Sequence, residues 1–115
     1  CGLCVERCPA SAILPEGGID TRRCIACHTI EPAASLGEER TAGWLFGCDE
    51  CQVCCPCNQR AEKIDNPLIS TLFNPSEFSA EWWTEITDEE FAEHFGTTPM
   101  SRAGAERLRA GAKKL

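Results

Sequence analysis

All ten cysteines of this 115-residue chain fall before residue 60, and they recur at fixed intervals. The first block is Cys1-x2-Cys4-x3-Cys8-Pro9 and the last is Cys48-x2-Cys51-x3-Cys55-Pro56, with Cys24 standing between them. The x3-Cys-Pro ending matches the back end of C-x2-C-x2-C-x3-C-P, a run that wraps an iron–sulfur cluster. A loop of that spacing curls round one corner of a cubane, with its thiolates inward and nearby backbone N–H groups facing the sulfides. The Cys-Pro ending turns the chain away, and in two-cluster ferredoxins its Cys ligates the other cluster. Applied here, that exchange assigns Cys8, Cys24, Cys48 and Cys51 to one [4Fe-4S] cluster. Cys1, Cys4 and Cys55 go to the other, with a fourth cysteine expected three residues before Cys1.

Two other readings of the cysteines stay open. Cys24-x2-Cys27 and Cys48-x2-Cys51, twenty residues apart, fit a zinc ribbon. That reading gives no role to the two Cys-Pro endings and leaves the first block unexplained. Disulfides are common in small cysteine-dense chains, but repeated C-x2-C pairs close tiny loops and make poor staples. Within the cluster reading, Cys27 and Cys57 lie outside the ligand set. Cys54 competes with Cys55, because Cys48-x2-Cys51-x2-Cys54 is itself a cluster loop. The spare thiols read as packing groups. His28 follows Cys27 and can ligate a metal, though a histidine so placed is more often a surface or hydrogen-bonding residue.

Composition explains why such a chain leans on its cysteines. With one Met, no Tyr and 7% aromatic residues, it buries a thin core and calls for cross-links. A net charge of −7 argues against a nucleic-acid grip within this stretch. No apolar run nears the ~18 residues of a membrane span. The chain opens on Cys1 without Met, and it reads as part of a longer protein that begins upstream.

The expected class is small α+β: a bis-[4Fe-4S] ferredoxin-like module of short helices and loops, followed by a helical tail. The disappearance of cysteine marks the boundary, giving a module at 1–60, a connector at 61–79 and the tail at 80–115. Within the module, Pro9 to Ile13 reads as a helical turn, Ile19-Asp20 as a strand stub, and Thr29 to Leu36 and Asp49 to Cys54 as short helices. Asn66-Pro67 and Asn74-Pro75 mark loop. In the tail, Thr87-Asp88-Glu89-Glu90 has the capping-box form. Phe91 and Phe95 share a face, Gly96 is a C′ stop, and Ser101 caps a last helix through Ala105, Leu108 and Ala112 that ends near Lys113 and Lys114.

Arg22-Arg23-Cys24-Ile25, Thr29-Ile30-Glu31, Phe46-Gly47-Cys48-Asp49-Glu50-Cys51-Gln52 and Cys55-Pro56-x-Asn58 resemble epoxyqueuosine reductase. Residues 1–60 carry that resemblance well, and Gly96 to Leu108 carry it more loosely. The resemblance implies cluster ligands at Cys1, Cys4, Cys8, Cys24, Cys48, Cys51 and Cys55, the same set that spacing gives. It implies an oxidoreductase with cobalamin bound mainly upstream, two clusters feeding electrons to it, and epoxyqueuosine in tRNA as the group reduced. The partners implied are tRNA and a small flavodoxin- or ferredoxin-type electron donor, for a monomer in a reducing cytoplasm, away from membranes. No catalytic residue falls on this chain. Departures from the family lie at Cys57, where it has tryptophan, at Cys54, where it has an aliphatic residue, and at Cys27-His28. A stand-alone ferredoxin-like carrier, or a subunit of another iron–sulfur reductase, is the second reading, and a zinc-stabilised interaction module the third.

Overall fold

A computed structural model describes residues 1–31, 41–62, 66 and 77–115. In its cysteine-bearing half, the helices are one or two turns long and start or stop at the cysteines. Helix α1 (Leu3–Arg7) ends at Cys8, which is extended at ψ 111°, the conformation that a following proline imposes. Helix α2 (Ile25–Ile30) leaves from Cys24 as its N-cap. Helix α3 (Glu50–Val53) lies between Asp49 and Cys54, as the sequence led us to expect. Helix α4 (Pro56–Gln59) leaves from Cys55, with Pro56 in its first turn, where a missing N–H costs nothing.

Pro9 to Ile13 is a turn rather than a helical turn. Ser11 sits at φ 47° and donates its N–H to the Cys8 carbonyl oxygen, and a left-handed residue stops helix growth. Strand content among the described residues comes to one isolated antiparallel bridge, Ile13–Ile19. Gly17 and Gly18, both at positive φ, fold the chain back so sharply that no longer ladder forms there. The helix expected at Thr29 to Leu36 starts instead at Ile25. Its Glu31 C-cap is already extended at ψ 127°, because it precedes Pro32. Residues 32–36 of that expectation lie outside the described residues, as do Pro67, Asn74 and Pro75 of the connector.

The apolar core sits in the C-terminal half. Helix α5 (Ala80–Glu85) is capped by Ser79 Oγ, which accepts from Trp82 N–H. Helix α6 (Asp88–Phe95) carries the full capping box. Thr87 Oγ1 accepts from Glu90 N–H at 3.1 Å, and Glu90 Oε2 accepts from Thr87 N–H at 2.9 Å. Thr98 caps a 3₁₀ turn, Pro99–Arg102, so Ser101 lies inside that turn and does not cap the last helix. Helix α7 (Ala105–Ala112) starts from Gly104 and ends at Lys113. Gly96 has helical φ (−58°) rather than the left-handed C′ geometry, and a Cβ there would stand 2.4 Å from the Ala92 carbonyl oxygen.

Trp83, Ile86, Phe91, Phe95, Met100 and Leu108 form the buried cluster, with Phe46, Phe78 and Trp82 against it. Trp83 stacks on Phe95 at 5.3 Å between ring centres. Helix α7 packs on α5 and α6 and also reaches α2. Arg107 donates to the His28 carbonyl oxygen and Arg102 pairs with Glu31, so the last helical segment clasps the helix that starts at Cys24. A glycine inside α7, Gly111, admits the Leu45 side chain, whose Cδ1 lies 3.2 Å from where a Cβ would stand.

Candidate metal centre

The fold brings four of the seven expected ligand residues to one place. Cys8, at the end of α1, Cys24, at the head of α2, and Cys48 and Cys51, either side of the start of α3, line a single small cavity. Ala12, Ile13, Ile19 and Ile25 make its apolar wall. The Ile13–Ile19 bridge and the Asp20 N–H bond to Ala12 O (2.8 Å) hold that wall in place.

The electrostatics agree with this gathering. Burial pushes the Cys48 thiol up, the Glu50 backbone N–H offsets part of this, and the neighbouring charges of Glu50, Cys24 and Cys8 add to the rise. Burial likewise raises the Cys51 thiol, with Cys48, Cys8 and Cys24 adding to it. Thiols that repel one another's charged forms in this way need a cation between them to stay ionised. Cys8 differs: burial pushes its thiol up, but backbone N–H groups of Ala12, Ala10, Ile13 and Ser11 outweigh it and hold it below the ordinary thiol value. The Ala12 N–H stands 3.2 Å from Cys8 Sγ. The Ser11 turn therefore makes a nest of donors for a thiolate, as cluster sulfurs require.

The other three expected ligands lie round α1, α3 and α4. Cys1 is exposed, Cys4 is half-buried on α1, and α1 packs on α3. The Cys55 thiol is held below its ordinary value by the N–H groups of Asn58 and Cys57, with smaller help from the Cys57 side chain. The Cys54 thiol turns back along α3 toward the Cys51 carbonyl oxygen at 3.6 Å. Cys57 is exposed.

Among the described residues, no three His, Cys, Asp or Glu side chains converge closely enough for a single metal ion. The cavity, its four thiols and its backbone donors fit a cluster. His28 takes a hydrogen-bonding place. It is buried, and its Nε2 donates to the Arg22 carbonyl oxygen at 2.7 Å, leaving Nδ1 without a partner. Thr29, also buried, accepts the Gly47 N–H at 2.9 Å. Neither bond could be read from the sequence, since each joins a side chain to backbone at a distance no motif encodes.

The family model for the 4Fe-4S double cluster binding domain matches residues 1–58. An epoxyqueuosine reductase of Gloeobacter violaceus is 34% identical over 121 residues, covering 98% of this chain. One of Aliivibrio fischeri is 40% identical over 93 residues, covering 76% of it. The chain spans only 38% and 25% of those two relatives. Among solved structures, epoxyqueuosine reductase from Streptococcus thermophilus superposes with a TM-score of 0.74 at 30% identity. Another epoxyqueuosine reductase, solved with an epoxyqueuosine-modified tRNA-Tyr stem loop, gives 0.78 at 26%. Each superposition covers 97% of this chain and 30% of the other. By the half of its length that the model matches, and by relatives that run across nearly all of it, the chain belongs to the 4Fe-4S double cluster binding domain family, in the form that epoxyqueuosine reductases carry.

Proposed function

We propose that this chain is the electron-relay part of an oxidoreductase that reduces epoxyqueuosine to queuosine in tRNA. The observation that carries the reading is the single cavity lined by Cys8, Cys24, Cys48 and Cys51, the same four residues that spacing assigns to one cluster. Cys1, Cys4 and Cys55 hold the second, with a further ligand from upstream. The N–H groups round Cys55, set against the Cys54 thiol turned toward Cys51 O, favour Cys55 as the ligand. Two [4Fe-4S] clusters supply one-electron steps, at potentials set by thiolate ligation, N–H bonds to sulfur and water access. Around the first site this chain's residues do two of those jobs: the Ser11 turn aims donors at Cys8, and the buried Ala12 and Ile25 keep water from one side of the thiols.

The acceptor in this reading is a cobalamin held by a part of the protein beyond this chain, to which none of the residues described here is assigned. The relatives' names, and the tRNA stem loop in one neighbouring structure, support tRNA as the substrate. A flavodoxin- or ferredoxin-type donor supplies the electrons, and the protein works as a monomer in the cytoplasm, where thiolates stay reduced. The division into a cluster module (1–60), a connector (61–79) and a helical tail (80–115) belongs to the same proposal. Among the described residues no helix is long and apolar enough to cross a membrane.

The deciding experiment is iron and acid-labile sulfide content after anaerobic preparation, with the absorption spectrum alongside. Iron and sulfide in comparable amounts, with a brown charge-transfer band, is the expected result. Zinc without sulfide would overturn the proposal.

A further inference from the structure

Thr29 lies on α2, a little over one turn beyond Cys24, and is only 4% exposed. Its hydroxyl donates to the Ile25 carbonyl oxygen at 2.9 Å and accepts the Gly47 N–H at 2.9 Å. A hydroxyl bonded back to the carbonyl four residues earlier is ordinary in a helix and by itself implies nothing. The bond from Gly47 is of another kind, because it crosses 18 residues of sequence. Ile25 follows Cys24 directly, and Gly47 directly precedes Cys48. One side chain thus joins the backbone beside one thiol of the cavity to the backbone beside another. Gly47 stands at φ 73°, a conformation that side chains rarely adopt, so the glycine and the threonine make one device.

We propose that Thr29 is a positioning residue for the cluster of Cys8, Cys24, Cys48 and Cys51, its hydroxyl fixing the spacing between Cys24 and Cys48. The inference rests on the cluster reading above. It matters because a metal site works only when its ligands are held to within about 0.5 Å of the productive geometry. Cys24 and Cys48 sit on segments far apart in sequence, with little buried apolar surface of their own to hold them. Removal of the hydroxyl leaves the Gly47 N–H without its partner and frees the loop that delivers Cys48.

Thr29→Val keeps the volume and removes the hydroxyl, whereas Thr29→Ser keeps the hydroxyl. Both are compared with the unaltered protein, purified anaerobically and briefly exposed to air. Iron and sulfide per chain are read, with the EPR spectra and midpoint potentials of the reduced clusters. Thr29→Val is expected to lose about half of its iron and one of the two reduced-cluster signals, or to show that signal at a shifted potential. The remaining signal reports that the chain is folded, and Thr29→Ser should match the unaltered protein. Iron, signals and potentials unchanged in Thr29→Val would overturn the inference. So would equal loss of both clusters, or a Thr29→Ser protein that behaves like Thr29→Val. An unaltered protein without iron and sulfide would instead sink the cluster reading, and this inference with it.

Discussion

Sulfur accepts hydrogen bonds weakly, so a backbone that turns several N–H groups toward a cysteine is arranged for the thiolate. Cys8 and Cys55 both have such surroundings, and both are followed by proline. Cys24 is placed by another means: it is the N-cap residue at the head of α2. Replacing it should therefore remove one corner of one site. Cys24→Ser is expected to lose or damage one cluster and spare most of the other, measured as iron per chain together with the reduced-state EPR spectrum. Two clusters surviving intact would show that the partition is wrong. Cys27→Ser should leave iron content unchanged, and loss of iron there would make Cys27 a ligand. That Cys8, Cys24, Cys48 and Cys51 lie together on one cavity was legible in the sequence, because their intervals and the Cys-Pro endings follow a run that gathers thiols. The choice between Cys54 and Cys55 was less so: both intervals close a loop, and the N–H groups round the Cys55 thiol and the carbonyl oxygen beside the Cys54 thiol show only in the fold. His28 reads from sequence as a hydrogen-bonding residue, as it is, but its partner could not be foreseen, being a backbone carbonyl that any residue at position 22 would present.

Short helices depend on their ends, because most of their backbone groups lie within a turn of a terminus. The capping box at Thr87 was legible for that reason: both halves of it are side chains at a fixed separation. Thr87→Ala should cost about 1 kcal/mol and lower the thermal midpoint by a few degrees. Glu90 adds a pH signature. The Thr87 N–H, then its hydroxyl, hold the Glu90 carboxyl below the ordinary value of 4.5. Its contribution is complete above that value and is lost as pH falls through the lower folded value. The gap in stability between the unaltered protein and Glu90→Ala should therefore close in acid. Ser101 was misread because two caps stand in succession: Thr98 starts the 3₁₀ turn, and α7 then begins from Gly104 without a side-chain cap. The start of α2 was set four residues too late, since Cys24 is not a residue that sequence marks as an N-cap.

At the scale of the whole molecule, apolar burial is lopsided. The core cluster begins at Trp83 and takes in only Leu45 and Phe46 from the cysteine-bearing half, where Ala12 and Ile25 are the buried apolar residues among those described. A half so poorly provided depends on its cross-links for a defined shape. Removal of iron by a chelator should therefore unravel the cysteine-bearing half and leave α5, α6 and α7 folded. Far-UV circular dichroism should keep roughly the half of its helical signal that α5, α6 and α7 supply, and the buried Trp83 should stay shielded from a fluorescence quencher. Full unfolding on chelation would show that the C-terminal core cannot stand alone. The cavity wall has one more consequence. Its four thiols come from positions 8, 24, 48 and 51, so a growing polypeptide cannot present them together until the last has left the ribosome. Until then its earlier cysteines are open to copper, zinc or oxidants. Cluster delivery must therefore follow synthesis of this whole stretch, and any pause in translation between the codons for Cys24 and Cys48 prolongs the time in which the wrong metal can enter.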